Sequence, residues 1–150
     1  MYSLCLQGCH AIVYQTNSGI YGFHNSGGSS PSDFLNRAKL FSEFVNEHNG
    51  ENKISHRLYG VTFVKNNQRG YPVDNSKTYW KKELLVFADQ LNFKGKISGY
   101  DLYDKFSSKN ESAYVEFRLN NKKIDVYVKK WEEDESLGRK EKKRKEFFTK

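Results

Sequence analysis

Two short stretches of alternating apolar and polar residues, each folded about a turn, constrain this chain more than anything else in it. From Cys9 to Gln15 the sequence CHAIVYQ alternates as a strand does, and Ile20 to Ser26 alternates again. The residues between them, TNSG, are turn formers, so the pair reads as a β-hairpin. The same pattern returns later. Ala113 to Leu119 and Ile124 to Lys130 alternate about an Asn120-Asn121 turn, a second hairpin. A further run, Arg57 to Lys65, has strand character and is followed by the turn residues NNQRG.

Two helices are predicted between these strands. Ser30 can cap the first, Pro31 suits its first position, and Asp33 completes a capping box. Phe34, Leu35, Ala38, Phe41, Phe44 and Val45 then fall on one helical stripe, with an end near His48, Asn49 and Gly50. Ser76 can cap the second, whose stripe is Trp80, Leu84, Phe87, Ala88 and Leu91. Paired strands with two interspersed helices predict an α+β fold: a mostly antiparallel sheet or sandwich with helices packed on it, and a hairpin carrying Cys9 and His24 near the N-terminus.

At 150 residues the chain is one domain in length, and 23 aromatic residues can fill its core. We expect a single domain over residues 1–131 and a charged tail over 132–150, helical or frayed. That tail, EEDESLGRKEKKRKEFFTK, holds seven basic and six acidic residues and so supplies only +1 of the net +7. The remaining positive charge is spread over the body without a helix-turn-helix, zinc-finger or RNA-binding signature, and nucleic acid is not expected as a partner. No apolar run approaches the roughly 18 residues of a membrane span. A basic segment followed by an apolar one, the mark of a conventional signal peptide, is not visible.

There are two cysteines, Cys5 and Cys9. An extended segment holds such a pair roughly 13 Å apart, beyond the about 7 Å between Cα atoms that a disulfide tolerates. They read as free thiols. If the hairpin loop holds an even number of residues, Cys9, Ala11 and Val13 share a sheet face with Ile20, Gly22 and His24. A two-residue loop at Thr16-Asn17 puts Cys9 opposite His24; a four-residue loop puts the two on a diagonal, still within side-chain reach.

A thiol beside an imidazole is a recognisable chemical pair. Cysteine attacks as the thiolate, scarce at neutral pH for an ordinary thiol with a pKa of about 8.5. A histidine in reach can take that proton and return it to a leaving group. Gly8 allows close approach of a substrate, and the backbone N–H groups at Gly8, Cys9 and His10 can face a developing oxyanion. Two other readings were weighed. Cys9 can be a small buried hydrophobe beside a structural histidine. Cys5, Cys9, His10 and His24 are four metal-ligand types, but Cys9 and His10 alternate to opposite faces of a strand, which argues against a metal centre. His10, His48, His56 and Trp80 read as structural or surface residues, and Asn25 and Ser26 as turn formers.

The segment LQGC, followed fifteen residues after its cysteine by the histidine of GFHNSGG, resembles the Cys-His core of the glutamine deamidases. That group includes the catalytic domains of cytotoxic necrotizing factors, toxins of the Burkholderia lethal factor type and the chemoreceptor deamidases. Leu6, Gly8, Cys9 and His24 match its pattern, while Gln7 stands where the toxins have serine. Ser3 occupies the place of a threonine that orients the histidine in several members. The resemblance covers residues 3–26. It implies a sandwich-like domain with the hairpin at a sheet edge, and catalysis by Cys9 and His24 with help from Ser3 and an oxyanion pocket at Gly8 and His10. The implied activity is hydrolysis of a glutamine side-chain amide on a target protein, with transglutamination as a side activity and no metal or organic cofactor. A monomer is expected, acting in the cytoplasm or delivered to a host cell without a conventional signal peptide. The alternatives from other classes are a basic nucleic-acid-binding module and a non-catalytic interaction protein.

Overall fold

The computed structural model describes residues 2–6, 10–25, 30–49, 54–62, 76–102, 111–134 and 138–148. Its elements run β1 (Tyr2–Leu6), β2 (His10–Thr16), β3 (Gly19–Asn25), α1 (Pro31–His48), β4 (Ser55–Thr62), α2 (Ser76–Gln90), β5 (Lys96–Asp101), β6 (Glu111–Asn120), β7 (Lys123–Asp134) and β8 (Gly138–Phe148). The fold is α+β and dominated by antiparallel pairing. One sheet has the order β3-β2-β4-β5 and the other β1-β6-β7-β8. Among the described residues only β4 and β5 pair in parallel, and α2 lies between them in the chain, as suits a parallel connection.

Three layers follow from the burial pattern. Alternate residues of β2 and β4 serve two cores. Ile12, Tyr14 and Leu58 pack under the helices with Phe34, Phe41, Trp80, Leu84 and Phe87. Ala11, Val13, Tyr59 and Val61 meet Val115, Phe117, Ile124, Val126 and Val128 of the second sheet. Strand β2 is therefore buried along its whole length. Its AIVY run is the near-continuous apolar signature of a strand covered on both faces, where alternation had suggested one covered face.

Helix α1 begins as its sequence dictates. The Ser30 hydroxyl accepts from the Asp33 backbone N–H at 3.2 Å, and the Asp33 carboxylate accepts from the Ser30 N–H at 3.2 Å. The Ser30 hydroxyl also donates to the Asp33 carboxylate at 2.6 Å, and that bond, with the one from the Ser30 N–H second, holds the Asp33 carboxyl below its ordinary pKa. Since the folded value is depressed, the contribution is present above the unfolded value and fades as pH falls through the folded one. Ser30→Ala is expected to lower stability by about 1 kcal/mol at neutral pH, with a smaller deficit under acid, read from urea midpoints at the two pH values.

The expected stripe on α1 is narrower than predicted: Phe34, Ala38, Phe41 and Val45 are buried, whereas Leu35 and Phe44 are exposed. On α2 all five predicted positions are buried. Residues 138–148 depart from expectation. In place of a helical or frayed tail they form β8, antiparallel to β7. The register runs from Asp125 across from Phe148 to Asp134 across from Gly138.

Candidate active site

The hairpin register is set by its turn. Thr16 pairs with Gly19, so the two-residue loop is Asn17-Ser18. The Thr16 side chain is buried; its hydroxyl donates to Asn49 Oδ1 (3.2 Å) and accepts from the Ser18 N–H (3.1 Å). Asn17 ties the loop to the segment before β4: its N–H donates to the Ile54 carbonyl at 2.9 Å, and its side-chain oxygen accepts from the Ile54 N–H at 3.1 Å. Gly19 takes a φ of +146°, a conformation that side-chain-bearing residues rarely adopt. These contacts anchor Thr16 in the ladder, which moves the loop one position along from Thr16-Asn17. An even loop is kept, and with it the predicted face: Val13 opposes Gly22 and Gln15 opposes Ile20.

His24 stands opposite Ala11 on β3, the edge strand of its sheet, and is exposed. Ala11 faces the second sheet, so His24 shares that side. Ser3 lies on β1, the edge strand of the second sheet, with Glu116 as its register partner. The backbone of β1 approaches both β2 and β3 to within 8 Å between Cα atoms. The edge strands that carry Ser3 and His24 thus approach each other, but Ser3 holds the register position of Glu116, between Val115 and Phe117 of the shared core, and so lies on the face of its sheet away from His24. Gly8 and Cys9 lie outside the described residues, as does Ser26. His10, the first described residue of β2, pairs on one side with Asn25 and on the other with Thr62.

Sequence reasoning treated His10 as a bland residue, and here the structure adds something. His10 is fully buried on the helix-facing side, away from His24. Its Nδ1 lies 3.7 Å from a carboxylate oxygen of Glu83, which is also fully buried. Asn25, 1% exposed, donates from its side-chain amide to the same Glu83 oxygen. The Trp80 ring meets the imidazole edge-on, centroids 6.0 Å apart. Three polar side chains and an indole therefore occupy the interior beside the chain positions that lead to Cys9 and away from Asn25. The sequence does contain the signal. Glu83 falls three residues after Trp80 and four before Phe87, on the apolar stripe of α2, where a carboxylate needs a partner.

His10 and His24 occupy opposite faces of the sheet and Cys5 sits on the other sheet, so these three do not converge. Among the described residues no group of three or more His, Cys, Asp or Glu side chains is placed to hold a metal ion. Nor is any described helix long and apolar enough to cross a membrane.

No family model and no curated protein matches this chain. The functional reading therefore rests on the residues themselves.

Proposed function

We propose that the protein is a cysteine-dependent glutamine deamidase acting on a target protein. The observation that supports this best is the position of His24: exposed, at a sheet edge, on the face that the hairpin parity assigns to the candidate thiol. An imidazole meant to exchange protons with a macromolecular substrate needs that exposure. A histidine retained for packing has no use for it.

In the proposed cycle the Cys9 thiol gives its proton to His24, and the thiolate sulfur attacks the side-chain carbonyl carbon of a glutamine. The backbone N–H at Gly8 stabilises the oxyanion, whereas that of His10, set between Asn25 and Thr62 in the sheet, is directed at a neighbouring strand. When the C–N bond breaks, His24 returns the proton to the departing nitrogen and ammonia leaves. A water molecule, deprotonated by the same imidazole, then adds to the thioester, releases the thiol and leaves glutamate. The net change is one amide plus one water giving one carboxylate and one ammonium ion. A primary amine in place of water gives transglutamination through the same thioester. The positive body of the chain suits an acidic target through steering.

The test needs no target. The alkylation rate of Cys9, located by peptide mapping, is measured against pH in the wild type and in His24→Ala. Reactivity that persists well below the ordinary thiol pKa of about 8.5, and disappears in the variant, is expected. Slow alkylation with an ordinary pH profile, indifferent to His24, would sink the assignment.

A further inference from the structure

At the opposite end of β2 from His10 the two sheets part around a cavity of about 450 Å³, lined by Gln15, His56, Arg57, Lys122 and Lys123. That volume is in the range of small-molecule sites. Three of its five lining residues carry a permanent positive charge, and no carboxylate is among the described residues that line it. The lining comes from both sheets: Gln15 and Arg57 face each other across β2 and β4, whereas Lys122 and Lys123 belong to the β6–β7 turn. The Gln15 side-chain amide donates to the Lys122 carbonyl at 2.8 Å and so fixes the turn against the first sheet.

Two features mark the arrangement as more than surface charge. The Arg57 guanidinium is held in place, donating to the Tyr59 hydroxyl and lying 5.4 Å from the centre of the Tyr59 ring. The β6–β7 turn, for its part, keeps a lysine where chain geometry prefers glycine. Asn121 and Lys122 have φ of 47° and 65°, the two left-handed positions of a hairpin turn for which Asn-Gly is the favoured pair. A lysine there is strained, and the strain places its positive charge at the lip of a basic cavity.

We propose that this cavity binds a phosphoryl-bearing small molecule. Three cations around one cavity suit a ligand with at least two negative charges, and a planar guanidinium beside two ammonium groups suits phosphoryl oxygens. The site is independent of the deamidase reading: Gln15 is five residues along β2 from His10, roughly 17 Å at about 3.4 Å per residue.

Pyrophosphate is the probe, titrated calorimetrically into the full chain at moderate ionic strength, against the wild type, Lys123→Gln, Lys122→Gly and Lys39→Gln. Saturable binding is expected in the wild type, weakened about tenfold or more in each pocket variant by loss of a charged hydrogen-bonding group, and unchanged in Lys39→Gln on the exposed face of α1. Lys122→Gly should also melt about 2 °C higher, because glycine relieves the turn. A variant that is more stable yet binds less cannot owe its loss to misfolding. The proposal is overturned if the pocket variants bind like the wild type, if Lys39→Gln loses as much, or if citrate binds as tightly as pyrophosphate.

Discussion

Glu83→Ala is expected to lower the free energy of unfolding by about 2–4 kcal/mol, a large fraction of the roughly 5–15 kcal/mol that holds an ordinary domain folded. The carboxylate is fully buried between α2 and the first sheet, and it faces both His10 Nδ1 and the Asn25 amide. Its removal takes the acceptor from the buried Asn25 amide and leaves a hole beside the His10 imidazole. An unmet buried polar group costs about 1–3 kcal/mol by itself, so one lost acceptor plus a cavity accounts for the figure. Glu83→Gln retains an acceptor oxygen and should recover part of the deficit. Adding His10→Ala to Glu83→Ala should cost less than the two single losses together, since the partners no longer need each other. Chemical denaturation of the four proteins checks this. A Glu83→Ala loss below about 1 kcal/mol would mean that the cluster is solvated and not a closed interior network.

What could be read in the sequence divides along a physical line. Both helices and both hairpins were legible because each carries a local signal: the Ser30-Pro31-Asp33 start, the Asn120-Asn121 turn, the stripe from Trp80 to Leu91. β1, β5 and β8 carry no such signal. β5 (KISGYD) is held in the sheet by parallel pairing with β4 across the long connection, residues 63–95, that contains α2, and β8 has a charge-rich sequence in place of an apolar pattern. The exact hairpin loop was missed by one position because Thr16 and Asn17 are both turn formers. Only the tertiary contacts of Thr16 with Asn49, and of Asn17 with Ile54, decide between them. In the candidate site, the parity that unites His24 with Ala11 and Val13 followed from the even loop. The Glu83–His10–Asn25 cluster did not follow, because sequence patterning treats a lone acid on an apolar stripe as noise until its partners are found on other elements.

Those partners come so close because of a pair of glycines. Gly60 on β4 and Gly99 on β5 are register neighbours, and together they leave a hollow in the sheet surface that faces α2. The His10 ring lies over the first and the Trp80 ring over the second. Gly99→Ala is accordingly expected to cost about 3 kcal/mol, the upper end for overfilling a packed interior. A methyl group there would run into the Trp80 ring, with Cη2 only 2.8 Å away, and into the Gly60 carbonyl oxygen at 2.9 Å. Backbone cannot yield to it, and Trp80, 5% exposed, is confined by its neighbours in the helix-side core. The strain must then pass to α2, and through Glu83 one turn further on to His10 and Asn25. A shortened side chain gives the decisive comparison. In a Trp80→Leu background the ring no longer fills the hollow and the Gly60 carbonyl contact alone remains, so Gly99→Ala should cost only about 1 kcal/mol, the low end for overfilling, a coupling of about 2 kcal/mol between the two positions. Equal penalties in both backgrounds would place the obstruction at the Gly60 carbonyl alone. The indole would then be a passive neighbour, and the approach of α2 would not depend on the glycine hollow.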